Sequence, residues 1–271
     1  MKKILNVILV LVAVFSFIAV MGCKKTTEKT DNSLAALKER GVFVLGLDDS
    51  FPPLGFRNED NEIVGYDIDL AKEVVKRLGV EFKAQPIDWS AKEMELSTGK
   101  IDCIWNGLTM TPDREAALAF TKAYLKNDQV LVVREDSGIN ALADMKGKTV
   151  GIQSGSSAQT AVESDEEFAA SLASKVMFKD NVTALNDLDI GGIDGVVMDS
   201  VVANYSIAQS KKAFKVITDP LAQEAYGIAF RKNDIQLRDE VQRILVEMQN
   251  DGTVTAISEK WFGRDISVIG Q

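Results

Sequence analysis

Apolar and polar positions follow two alternating periods along this chain. Val42–Leu47 reads as a strand, and residues 54–57 with 62–64 read as a hairpin around 58–61. Tyr66–Leu78 repeats apolar residues three and four apart, through Ile68, Leu70, Ala71, Val74, Val75 and Leu78, and Gly79 stops the helix. Residues 80–85 predict a strand, 91–97 a helix ended by Gly99, and 101–105 a further strand. That rhythm predicts a parallel sheet with right-handed crossovers. A second set begins at 129–133. Its strands fall at 148–152, 175–178, 195–198 and 214–217, separated by helices near 157–163, 183–189 and 200–209. Residues 225–230 form a last strand, 237–248 an amphipathic helix running up to Gly252, and 253–261 a short closing helix. No internal repeat or low-complexity segment interrupts the pattern. Two α/β sets of about a hundred residues each predict two lobes with a cleft between them.

The N-terminus departs from this pattern. Lys2 and Lys3 precede a run from Ile4 to Met21 that is apolar except for Asn6 and Ser16, the form of an export signal over residues 1–22. The run is also long enough to cross a membrane as an uncleaved helix. Val20-Met21-Gly22-Cys23 resembles the bacterial lipobox, which makes the Cys23 thiol the expected lipid attachment point, although Met21 is a less usual residue there. Residues 23–33, with the polar stretch KKTTEKTDN, then read as a tether. The expected location is the outer face of a membrane or the periplasm.

Composition removes whole classes of function. The net charge of −9 makes nucleic acid a poor partner, and loss of Lys2 and Lys3 deepens it. The chain has no histidine, so the commonest general base and the commonest metal ligand are both missing. With Cys23 lipidated, Cys103 is the only other cysteine and reads as a small buried hydrophobe. No metal and no cofactor are expected.

The candidate chemistry starts at residues 105–114, WNGLTMTPDR. Thr111 is a good N-cap, Pro112 suits the first helical position, and Arg114 falls in the first turn. Helix starts attract anions, and an arginine there can grip a carboxylate through two parallel hydrogen bonds. By itself this stretch reads equally well as a strand–loop–helix junction with a solvated arginine. The turn Ser154-Gly155-Ser156-Ser157 alone reads as a helix cap, and Asp199 alone as the N-cap of a helix from Ser200.

The order of motifs decides. LDDSFPPLGF at 47–56, IVGYDIDLA at 63–71, IDWSAKEMEL at 87–96 and GKIDCIWNGLTMTPDRE at 99–115 come first. LVVRED at 131–136, MKGKTVGIQSGSSA at 145–158, GGIDGVVMDS at 191–200, AYGIAF at 225–230 and DGTVTAISEKWFG at 251–263 follow. The series resembles the polar-amino-acid family of extracellular solute-binding proteins, the capture subunits of ABC importers, and covers residues 33–263. The resemblance implies a type II periplasmic-binding-protein fold: two α/β lobes, a discontinuous first lobe, two hinge strands and a ligand in the cleft. The implied divisions are 34–125 and 223–271 for the first lobe and 126–222 for the second, with hinges at 124–128 and 222–226.

Roles follow from the same resemblance. Arg114 pairs with the ligand's α-carboxylate, and the loop carrying Ser156 and Ser157 adds donors from the other lobe. Asp199, the Gly107 carbonyl and the Thr109 hydroxyl take the ammonium, with Leu108 between the last two. Phe51 and Trp89 sandwich the ligand's side chain, Asp48 reads its far end and Gln153 is a further position of the pocket; Asp49 is a weaker candidate that faces water. Gln153 stands where some glutamine binders carry lysine, and Met198 replaces a polar neighbour of the aspartate. No matched position offers a second positive charge, which disfavours glutamate and aspartate and leaves glutamine, arginine or lysine. Glu224 is placed near the hinge with no argument for contact with ligand. The expected partners are a free amino acid, the transmembrane subunits of an ABC permease, and the membrane through the lipid. An exported cyclohexadienyl-type dehydratase on the same fold and an amino-acid sensory module are the rival functions.

Overall fold

Two mixed sheets carry the fold. The computed structural model describes residues 30–271, of which Asn32–Gln271 form one compact unit. The signal segment and Cys23 lie outside the described residues. Among the described residues no helix is long and apolar enough to cross a membrane.

The first sheet has the order Glu81–Pro86, Val42–Leu47, Cys103–Ile104, Ala229–Arg231, Leu118–Phe120. Its first three strands are parallel, as the βαβ rhythm predicts. The sheet as a whole is mixed, because Ala229–Arg231 runs antiparallel to both its neighbours. Ala229–Arg231 belongs to the returning C-terminal chain, so no helical crossover sets its direction.

The second sheet runs Ser174–Phe178, Thr149–Gln153, Gly195–Asp199, Leu125–Arg134, Phe214–Val216, with Ala222–Tyr226 also paired to Leu125–Arg134. Here too the first three are parallel and the rest antiparallel. The first sheet is therefore assembled from chain on both sides of the second, and Leu125–Arg134 and Ala222–Tyr226 are the adjacent strands by which the chain passes between them. A small three-stranded sheet holds Ser50–Phe51, Gly55–Arg57 and Ile63–Val64, the last two forming the predicted hairpin.

Helix Tyr66–Leu78 has the predicted limits. Its apolar stripe is buried, and Gly79 ends it at φ 74°, donating to the carbonyls of Val75 and Lys76. Positive φ at that position costs glycine nothing and any other residue strain. Helices Ile235–Asn250 and Thr253–Phe262 close the chain, the former burying Leu237, Val241, Ile244, Leu245 and Met248.

Two predicted strands come out differently. The run 101–105 keeps only Cys103–Ile104 as strand. Asp102 Oδ2 accepts the Val44 N–H at 2.8 Å, and so replaces a backbone acceptor in the ladder. The run 225–230 splits into Ala222–Tyr226 and Ala229–Arg231. Between them Gly227 N–H goes to Leu108 O and Ile228 N–H to Thr121 Oγ1, as the chain leaves one sheet for the other. Period-2 patterning cannot distinguish one strand from two end to end.

A continuous cluster of buried apolar side chains joins the sheets, from Phe43 and Leu45 through Tyr124 and Tyr226 to Val130 and Val196. A second lies on the other face of the second sheet, around Val150, Ile152, Val162 and Val197. A third gathers Trp89, Leu96, Ile104 and Leu108. Cys103 is buried and unpaired.

Candidate functional site

Strand register brings the acceptors together. In the second sheet Asp199 stands opposite Gln129, and Glu224 stands opposite Asn127. Asn127 and Gln129 are two residues apart on one strand and so project to the same face. Asp199 Oδ1 accepts from Asn127 Nδ2 at 2.7 Å, from Gln129 Nε2 at 2.8 Å and from the Tyr226 hydroxyl at 2.7 Å. Although Asp199 occupies the N-cap position of helix Ser200–Ser210, its side chain makes no capping bond. Its carboxyl is pushed up to about 7, first by burial and then by the charge of Glu224, against the bonds from Tyr226 and Gln129.

Glu224 is the residue that sequence reasoning left aside. Its Oε2 accepts from Thr109 Oγ1 at 2.8 Å, Gln129 Nε2 at 3.0 Å, Ser157 Oγ at 3.2 Å and Asn127 Nδ2 at 3.3 Å. Thr109 and Ser157, from segments flanking the two sheets, lie 3.0 Å apart at their hydroxyls. A cavity of about 720 Å³ borders this group at Thr109, Ser157 and Glu224, and continues past Pro112, Thr160 and Ala222. The sequence carries a signal for the cluster in the pattern N-x-Q that opens an otherwise apolar strand, and in E-x-Y across from it. Polar residues on one face of a buried strand need partners.

Arg114 lies beyond Thr109. Thr111 caps the helix Pro112–Ala117 by accepting the Arg114 N–H at 3.3 Å. The guanidinium, 13 % exposed, donates to Thr109 O at 3.1 Å and to Gly155 O at 3.2 Å. Gly155 belongs to the Gly/Ser turn, whose Ser156 caps helix Ser157–Ser164 through its bond from Gln159 N–H. The guanidinium thus reaches the Thr109–Ser157 pair through the Thr109 carbonyl, and the Asp199 carboxylate reaches it through Gln129 Nε2, which bonds both Asp199 and Ser157.

Lys92 is a second cation that the sequence did not suggest. It is 2 % exposed, with Nζ donating to Gly155 O at 2.9 Å and to Trp89 O at 3.2 Å, and lying 5.1 Å from the centre of the Trp89 ring. Burial and the neighbouring Arg114 push its pKa down to about 8, while Glu93 at 3.2 Å opposes them. Helical periodicity gives no hint of this, because the lysine follows a single-turn 3₁₀ segment, Trp89–Ala91, rather than a polar face.

At the other end of the site Asp48, 8 % exposed, closes the strand Val42–Leu47. It accepts from Ser50 N–H at 2.9 Å and from Gln153 Nε2 at 2.7 Å. Desolvation raises its carboxyl to about 6 against those two bonds. Asp49 pairs instead with Arg57 on the hairpin. Phe51 and Trp89 are both nearly buried. Phe51 lies against Gly107, whose φ of 61° and crowded surroundings leave no room for a side chain: a Cβ there would meet Leu54 Cδ1 at 2.7 Å and Phe51 Cε1 at 2.9 Å. Gly107 N–H is held by Asp67 Oδ2 at 2.9 Å. Leu108 differs from its neighbours, since its side chain is fully buried beside Trp89 and its carbonyl accepts from Gly227. Cys23 is outside the described residues.

Arg114 and the carboxylates of Asp199 and Glu224 thus gather around the Thr109–Ser157 pair. Residues 43–264 match the model of the bacterial extracellular solute-binding proteins, family 3. The L-cystine-binding protein TcyJ of Escherichia coli is 29% identical over 95% of this chain and 96% of its own length. The arginine-binding extracellular protein ArtP of Bacillus subtilis is 31% identical over 97% and 98%. A crystal structure of an ABC uptake transporter substrate-binding protein from Streptococcus pneumoniae with bound histidine superposes with a TM-score of 0.85, at 37% identity over 88% of this chain and 99% of that one. An ancestral amino acid-binding protein described as a precursor of cyclohexadienyl dehydratase gives a TM-score of 0.78 at 31% identity, over 85% and 99%. With a match across more than four-fifths of its length, two mixed α/β layers and a charged cleft, the chain belongs to the bacterial extracellular solute-binding proteins of family 3, with the type II periplasmic-binding-protein fold.

Proposed function

We propose that this protein captures a polar or cationic amino acid outside the cytoplasm and delivers it to the permease of an ABC importer. One observation carries the reading: Arg114 and Asp199 are both linked to the Thr109–Ser157 pair, Arg114 through the Thr109 carbonyl and Asp199 through Gln129. A ligand held by both sides favours the closed arrangement by the difference in its affinity for the two states. Relatives named for cystine, arginine, glutamine and histidine support an amino acid in general. The charge balance supports a narrower class: Asp48, Glu93, Asp199 and Glu224 outnumber Arg114 and Lys92 around the site. A ligand of net positive charge offsets that excess, which places arginine or lysine ahead of glutamine.

The lobes run over 34–125 with 223–271, and over 126–222, and the pairing of Leu125–Arg134 with Ala222–Tyr226 supports the hinge. Residues 1–22 act as the export signal, and Cys23 holds the lipid that keeps the protein at the membrane. The curated relatives above are named as binding proteins, and this supports a protein that performs no chemistry on its ligand. A thermal-shift screen of the mature domain against the common amino acids and cystine tests the reading, because a ligand of the native state raises apparent stability. A shift with arginine or lysine is the expected result. Turnover of a cyclohexadienyl acid, or no shift with any amino acid, refutes it.

A further inference from the structure

We infer that Glu224 is a positioning residue: it takes the proton of the Thr109 hydroxyl, and so makes Thr109 an obligate acceptor for the ligand's ammonium. The inference rests on the head-group reading proposed above and adds to it a residue outside the matched ligand set.

A threonine hydroxyl has one proton and two lone pairs. Thr109 Oγ1 has two oxygen neighbours to bond, the carboxylate Glu224 Oε2 at 2.8 Å and the hydroxyl Ser157 Oγ at 3.0 Å. The carboxylate is the stronger acceptor and the shorter contact, so the proton goes to Glu224. Ser157 keeps a donor for the pair: it already accepts from Gln129 Nε2 at 3.1 Å, and its own proton goes to Glu224 or to Thr109. What Thr109 presents elsewhere is a lone pair. The Gln129 amide reports the same environment. Its nitrogen faces Asp199 and Glu224 while its Oε1 is buried with no hydrogen bond. Without Glu224 the Thr109 proton is free to turn, and a hydroxyl that donates repels N–H⁺.

Every neighbour of Glu224 Oε2 is a donor or a hydroxyl, so a glutamine side chain can place its carbonyl oxygen at the same point. Removal of the oxygen and removal of the charge are therefore separable. The test measures the dissociation constants of L-arginine and of 5-guanidinopentanoate, which lacks only the ammonium, by calorimetry on the mature protein; if the amino-acid screen selects another ligand, that amino acid and its deaminated analogue serve. In Glu224→Ala the preference for the amino acid over the analogue should fall about 10-fold or more, the scale of a hydrogen bond to a charged group. Glu224→Gln should restore the preference to within about twofold of the wild type, the usual tolerance of independent sites. In a Thr109→Val background Glu224→Ala should change the preference no further. Because the preference is a ratio, damage to folding or to the hinge that weakens both ligands equally leaves it unmoved. An unchanged preference in Glu224→Ala overturns the proposal. So does a Glu224→Gln protein as impaired as Glu224→Ala, since the charge rather than the proton position would then be at work. If the wild-type protein binds no amino acid at all, the head-group reading fails and the inference fails with it.

Discussion

Asp67 lies beneath the site and offers a sharp test of the electrostatics. It is fully buried in the first turn of helix Tyr66–Leu78, and its Oδ2 accepts from Gly107 N–H and from the Tyr124 hydroxyl, both at 2.9 Å. Its Oδ1 has no hydrogen bond. Burial dominates these bonds and raises the carboxyl from 3.8 to about 7. The folded state therefore holds its proton more tightly than the unfolded chain does. The contribution is fully favourable below pH 3.8 and is lost as pH rises through about 7. At about 1.4 kcal/mol per pKa unit, the ionised group costs about 4 kcal/mol above that point, of which about 2–3 kcal/mol appears between pH 5 and pH 8. Asp67→Asn removes the titration and keeps the acceptor for Gly107 and Tyr124. Its new N–H₂ has no partner, an offset of about 1–3 kcal/mol that does not depend on pH. Urea denaturation of both proteins at a series of pH values measures the difference. The variant should gain about 2–3 kcal/mol on the wild type from pH 5 to pH 8, or about 5–10 °C in melting temperature. Asp48 and Asp199 titrate in both proteins and cancel. Parallel stability curves would refute the reasoning.

Three further outcomes are expected. Arg114→Ala should weaken amino-acid binding by about 2–5 kcal/mol, because it strips one partner from a desolvated charge pair; an unchanged dissociation constant by calorimetry removes Arg114 from the site. Gly107→Ala should lower stability by about 1–3 kcal/mol through a strained φ and the contacts with Leu54 and Phe51, read as a lower urea midpoint. Cys23→Ser should move the protein from the membrane fraction to the medium or periplasm, and retention at the membrane would indicate that residues 4–21 stay attached as an anchor.

Much of this molecule is legible in its sequence, and the gaps have identifiable causes. Helix Tyr66–Leu78 and strand Val42–Leu47 come out with their predicted ends, because amphipathic periodicity and a stop glycine are local signals. Helix Glu166–Ser171 and strand Leu118–Phe120 go unread, the helix being under two turns long and the strand three residues held by a partner distant in sequence. The antiparallel half of each sheet is invisible for a related reason, since direction is set by where the chain returns rather than by what any strand contains. In the site, Arg114, Thr109, Ser157 and Asp199 all lie in motifs, and Thr109 Oγ1 meets Ser157 Oγ at 3.0 Å. Glu224 falls just outside the motif at 225–230, and Lys92 falls inside IDWSAKEMEL at 87–96, where nothing local marks it as buried. One acquires its surroundings from cross-strand register and the other from the fold of a 3₁₀ turn against the Gly/Ser loop.

The strand Leu125–Arg134 has two halves of different character. Val130 to Val133 are buried among apolar neighbours, while Asn127 and Gln129 supply the amides that hold both carboxylates, in the same segment that pairs with the returning chain. Register along this strand is thus a chemical variable. Slipping the pairing by one residue would leave every backbone hydrogen bond available, yet turn both amides to the opposite face and leave Asp199 and Glu224 without their donors. The apolar half guards against that slip, since the same displacement would exchange which valines face each core. Hydrophobic burial at one end of a single strand sets the phase of the polar site at the other.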